Sequence, residues 1–180
     1  SLLVGFAVQT DAWGESQVHV DRLRCEYQIN PLGIDATTPS LAWILVSQER
    51  GQKQTAYQVL VADNPEKLAG NQGNLWDSGR VPSSDSIQVL YAGRQLMSSQ
   101  KCYWKVRIWD AHGEATPWSS IANWEMALLQ SGDWHGKWIN DGRALPKNDE
   151  DFYRDDPAPL FRKSFVAQKP IQSSRLYVSG

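Results

Sequence analysis

Lys101-Cys102-Tyr103-Trp104-Lys105-Val106-Arg107-Ile108-Trp109 is the stretch whose reading decides the fold. Trp104, Val106 and Ile108 take every second position, and Tyr103, Lys105, Arg107 and Trp109 fill those between. In an extended chain successive side chains point to opposite faces, so this pattern is a strand with one face turned inward. By the same alternation Trp109 falls on the outward face. The content of Val, Ile, Tyr and Trp is what a pleated, half-buried surface favours.

The pattern recurs on both sides. Leu41, Trp43 and Leu45 alternate within Ser40–Val46, Tyr57, Val59 and Val61 within Thr55–Ala62, and Ile87, Val89 and Tyr91 within Ser86–Tyr91. Further strands are expected near Val18–Tyr27, Leu75–Val81 and Ile121–Leu128. Turn chemistry separates them: Asn30-Pro31-Leu32-Gly33, Glu49-Arg50-Gly51-Gln52 and Asp110-Ala111-His112-Gly113 each carry a Gly that tolerates positive φ, the first also a Pro that fixes it. Asn64-Pro65-Glu66-Lys67-Leu68 opens at most one short turn of helix, with Pro at its first position. Seven short strands over roughly 110 residues, from Gln17 to Leu129, give an all-β class and an immunoglobulin-like or fibronectin type III-like β-sandwich.

The ends read differently. Leu2-Leu3-Val4-Gly5-Phe6-Ala7-Val8 is uncharged and apolar, and Ala12-Trp13-Gly14 places small residues about a possible cleavage point. Residues 1–16 therefore read as the remnant of a secretory signal, which implies a secreted or periplasmic protein. Residues 130–180 hold a linker, a polar acidic loop over Asp141–Asp156, and two segments expected as strands, Leu160–Val166 and Ser174–Val178. That is too little to close a sandwich, so this part reads as the incomplete start of a second β-sandwich domain.

Composition narrows the function classes. The 180 residues carry a net charge of -2 with scattered Lys and Arg, which argues against nucleic acid as a partner. No stretch is long and apolar enough for a membrane span. Cys25 and Cys102 are the two cysteines. They could be bridged after export or remain free and buried, and without a CxxC or Cys/His cluster they hold no zinc. His19, His112 and His135 are isolated and read as surface or linker residues. Asp149, Glu150, Asp151, Asp155 and Asp156 supply carboxylates, but in a solvated loop without EF-hand spacing for calcium. Gly70, Gly73 and Gly79 lack the strand-to-helix context of a phosphate loop. No catalytic, cofactor or metal residue is therefore assigned. Nine tryptophans make sugar stacking worth weighing, with Trp109, Trp134 and Trp138 as the candidates, against the alternative that they pack between domains.

A family resemblance adds to this reading. Leu23-Arg24-Cys25-Glu26-Tyr27, Asn30-Pro31-Leu32-Gly33-Ile34 and Pro39-Ser40-Leu41-Ala42-Trp43 resemble the opening of bacterial α-L-rhamnosidases. Gln54-Thr55-Ala56-Tyr57-Gln58-Val59, Leu75-Trp76-Asp77-Ser78-Gly79, Tyr103-Trp104-Lys105-Val106-Arg107, Trp109-Asp110, Trp118-Ser119 and Trp124-Glu125-Met126 follow in the same order. Asp133-Trp134, Lys137-Trp138-Ile139, Pro157–Lys163 and Arg175–Gly180 are similar to the linker and the start of the next domain. The resemblance implies an accessory, non-catalytic segment, with downstream domains of the same polypeptide as its partners. It also implies an (α/α)6 barrel elsewhere in the protein that hydrolyses terminal α-L-rhamnosides with inversion, so that rhamnose-containing glycans are met through the parent enzyme. The barrel is not in this chain, so no catalytic residue is carried over. The other open reading is a fibronectin-like binding module of a surface sensor or adhesin.

Overall fold

The computed structural model describes residues 18–140, 142–143, 147–153, 158–171 and 174–178. The leader 1–16 lies outside them. The chain divides into two compact units, Ser1–His135 and Gly136–Gly180.

The first unit is an all-β sandwich. Its strands are β1 (His19–Cys25), β2 (Leu32–Ile34), β3 (Ser40–Val46), β4 (Ala56–Ala62), β5 (Trp76–Asp77), β6 (Val89–Leu90), β7 (Lys101–Trp109) and β8 (Ala122–Met126), with a short helix, α1 (Pro65–Ala69), after β4. One sheet has the order β1-β3-β6, the other β2-β8-β7-β4-β5. The alternating strands pair in register, with Val59 opposite Val106 and Val61 opposite Trp104 between antiparallel β4 and β7. Their inward side chains meet Leu41, Trp43, Val89 and Tyr91 of the facing sheet in one buried cluster with Trp124 and Met126. Such aromatic groups each bury a large apolar area, and here they also meet edge to face, Trp76 on Tyr91 at 5.4 Å and Tyr91 on Trp124 at 6.0 Å.

The expected inward set holds with three departures. Leu45 and Tyr57 are half-buried, and Ile87 is 65% exposed. Ile87 leaves the core because Gln88 takes a φ of 55°, which breaks the strand and restarts the alternation at Val89. The expected strand Ser86–Tyr91 shrinks accordingly to β6.

Strand number is the second correction, eight among the described residues instead of seven. The opening segment splits: Glu26, Tyr27 and Asn30 adopt positive φ and carry the chain from one sheet to the other, where β2 pairs parallel with β8. Gly33, at a φ of 75°, bends β2 between its two paired residues. The stretch read only as a turn is thus a turn that ends in a strand. Leu75–Val81 is likewise interrupted. Only Trp76–Asp77 is regular, Gly79 turns at a φ of 60°, and Val81 rejoins β4 through a bridge to Tyr57.

Cys25 and Cys102 are free and buried. In the second unit, the polar stretch forms one helical turn, α2 (Asp149–Phe152). Residues 160–166 and 174–178, expected as strands, are irregular, and Leu160, Phe165 and Val166 are 99%, 81% and 89% exposed. Among the described residues they join no strand ladder, and a strand exists through such pairing.

Candidate functional site

The outward face of β7 holds the first sugar-contact candidate. Residues 105, 107 and 109 share that face, and Trp118 is brought beside them because Ser119 brackets Val106: its N–H donates to the Val106 carbonyl at 2.9 Å and its hydroxyl accepts the Val106 N–H at 3.0 Å. The result is a ladder of cations and indoles. The Arg80 guanidinium lies 4.8 Å from the Trp109 ring and that of Arg107 5.1 Å. Arg107 also lies 4.7 Å from the Trp118 ring, and Lys105 Nζ 4.8 Å from it. Gln58 Oε1 fixes Arg107 by accepting from Nε at 3.0 Å and Nη2 at 2.8 Å, while its own amide donates to Asp77 at 2.7 Å. Each such cation–π contact contributes about 0.5–1 kcal/mol at a partly exposed site. Two guanidinium groups thus lie over the half-buried ring where a sugar would stack, so Trp109 is a rung of the sheet surface and offers no open platform.

Trp134 is 42% exposed and follows the 3-10 turn Ser131–Asp133; Trp138, 83% exposed, belongs to the second unit. Among the described acids, Asp149 and Glu150 are exposed on α2. The Asp151 side chain and Asp155 and Asp156 lie outside the described residues. His19, His112 and His135 are exposed and separate; the backbone N–H of His112 donates to Asp110 Oδ1 at 2.9 Å, which shapes the Asp110–Gly113 turn.

Three groups escaped the sequence reading. Lys105, placed outward by alternation, is 6% exposed because α1 covers it. Its ammonium donates to the Leu68 carbonyl and, at 2.6 Å, to Asn71 Oδ1, and burial followed by the nearby Arg107 charge pushes its pKa down. No periodicity could place a five-residue helix over that strand. Gln54 is 3% exposed: its Oε1 accepts from Trp43 Nε1 at 3.0 Å and its amide holds the Ser83 and Asp85 carbonyls at 3.0 and 2.7 Å.

The third is a cleft of about 460 Å³ between the β2–β3 and β6–β7 connections. Thr37 and Thr38 form one wall, Ala92, Arg94 and Gln95 the other, with Tyr91 and Gly93 beneath. Arg94 is the one charged residue lining it. The wall residues come from two distant irregular stretches, so no local motif signals them.

Comparison with known proteins agrees with this architecture. A 42% identical protein from Streptomyces avermitilis named alpha-L-rhamnosidase aligns over 69% of this chain and 12% of its own length. A 35% identical protein of the same name from Formosa agariphila aligns over 84% of this chain and 16% of its own. The chain therefore spans less than a fifth of either relative. A solved structure of alpha-L-rhamnosidase from Dictyoglumus thermophilum superposes with a TM-score of 0.65 at 38% identity, covering 67% of this chain and 14% of that one. The family model described as Rha78A-like, N-terminal immunoglobulin domain matches residues 20–130, and the chain belongs to that family.

Proposed function

We propose that this chain is a non-catalytic accessory segment of a larger secreted or periplasmic glycoside hydrolase that removes terminal α-L-rhamnosyl groups with inversion. The carrying observation is the mismatch of coverage: 69% of this chain corresponds to only 12% of a protein named alpha-L-rhamnosidase. Inverting hydrolysis needs a raised-pKa acid and an opposed base held about 6.5–9.5 Å apart in a fixed site. Among the described acids of the polar stretch, Asp149 and Glu150 are exposed on the single turn of α2, which does not hold a pair in that geometry. The sandwich core is well suited to a mechanical role, holding the downstream domains of the same polypeptide in place, while the parent enzyme contacts rhamnose-containing glycans. Residues 130–180 act in this reading as linker and start of the next, carbohydrate-binding-like domain. The apolar leader supports export. A chromogenic α-L-rhamnoside tests the proposal. The purified chain is expected to give no release above background. Turnover that is abolished by Asp149→Asn or Asp156→Asn overturns it.

A further inference from the structure

We propose that the cleft between Thr37-Thr38 and Ala92–Gln95 is a binding subsite for a carboxylate-bearing sugar, a uronic acid residue of a glycan. The inference rests on the accessory reading above and gives it a ligand. The cleft is prebuilt by backbone and buried groups. Tyr91 N–H donates to the Pro39 carbonyl at 2.9 Å, which ties the two connections together. The Tyr91 hydroxyl, from a residue 2% exposed, donates to the Arg94 carbonyl at 2.7 Å, and Arg94 N–H donates to the Leu75 carbonyl at 2.9 Å. Gly93 seats the loop against the sheet, since an added Cβ would lie 2.4 Å from the Leu75 carbonyl oxygen and 2.5 Å from Trp76 Cβ.

The scaffold thus uses the main chain of Arg94 and leaves its side chain free for other work. Thr37, Thr38, Arg94 and Gln95 are exposed on the walls, and among the described residues their side chains make no hydrogen bond, although the Arg94 charge reaches Tyr91 beneath. A guanidinium offers paired N–H donors in the geometry of a carboxylate, and hydroxyls and amides exchange hydrogen bonds with ring hydroxyls. A mostly pre-formed concave site with a few convergent polar groups is the usual form of a small-ligand pocket. The cleft has room for one pyranose ring, and its single charge selects an acidic one.

Amide and Arg side-chain NMR shifts of the 180-residue chain, titrated with methyl α-D-galacturonoside, test this. Shifts confined to residues 37–38 and 91–95, with a Kd on the order of 1–10 mM, are expected. Arg94→Gln and Thr38→Val, which leave the main-chain clamps in place, should each weaken binding, Arg94→Gln by at least about tenfold. Three results overturn the proposal: no shift at these amides, equal binding of the neutral methyl galactoside, or equal shifts from acetate alone. The rhamnoside assay is independent of all three. Turnover would defeat the accessory role without touching the cleft, and an empty cleft would leave that role standing.

Discussion

Trp43 and Trp104 form a matched pair on which the energetics of this core can be tested. They are 1% and 0% exposed and stand on facing sheets. Their indole N–H groups differ: Trp43 Nε1 donates to Gln54 Oε1 at 3.0 Å, whereas Trp104 Nε1 is buried with no acceptor among the described residues. Replacing either by Phe removes the same atoms, so the transfer and cavity contributions cancel to first order in the difference between the two variants. Trp43→Phe strands the Gln54 oxygen in a buried site, which costs about 1–3 kcal/mol. Trp104→Phe removes a donor whose unpaired burial already carries a cost of about 1–3 kcal/mol. Trp43→Phe should therefore be less stable than Trp104→Phe by about 2–6 kcal/mol, the sum of the two effects, a separation in Tm of roughly 8 °C or more. Urea unfolding followed by far-UV circular dichroism measures it, with unchanged m values confirming that both variants unfold from the same compact state. The larger truncation Trp104→Ala should cost about 3–5 kcal/mol, because it opens a cavity with no hydrogen bond to lose. Equal stability of the two Phe variants, or a weaker Trp104→Phe, would refute the reasoning.

Three further outcomes are expected. Burial pushes the thiols of Cys25 and Cys102 and the phenol of Tyr91 each up to about 12, with the Glu26 charge adding at Cys25 and the Cys102 charge at Tyr91. A raised folded pKa stabilises the fold below the unfolded value and is lost as pH rises through the folded one. Chemical stability should therefore fall between about pH 9 and 12 against the weaker opposing effect of Lys105, and a thiol reagent at pH 8 should label neither cysteine until urea unfolds the chain. Lys105→Met should cost about 1–3 kcal/mol and speed amide exchange at Gly70, Asn71 and Gln72, where the ammonium holds the end of α1; unchanged exchange there would show that α1 is held by Leu68 alone. Hydrogen exchange should also be fast throughout residues 158–171, which are irregular and exposed, and slow across β4 and β7; protection in 158–171 would mean a ladder partner exists in solution.

Period-two alternation was enough to read β3 and β7 to the residue, β4 to within one, and the inward side chains Leu41, Trp43, Val59, Val61, Trp104, Val106 and Ile108. It works because a half-buried strand must segregate its side chains whatever it packs on, so the requirement is written locally. The Pro65 helix start was legible for the same reason, since Asn64 caps it by accepting the Glu66 N–H at 2.7 Å. The order of motifs along the chain pointed to the family that the comparison then showed.

Tertiary structure alone decided the rest. The split of β1 from β2, the exposure of Ile87 and the interruption at Gly79 depend on single positive-φ residues, where the chain trades regular pairing for a change of sheet or direction. The burial of Lys105 depends on α1 arriving from a distant part of the chain, and the covering of Trp109 on Arg80 meeting Arg107 across the sheet. The cleft joins Thr37-Thr38 to Arg94, which are more than fifty positions apart, through a tyrosine hydroxyl that no periodicity could aim. Segregation of polar from apolar side chains is a local demand and leaves its mark in sequence; the pairing of polar groups across the fold is set by which surfaces meet, and only the folded chain brings those surfaces together.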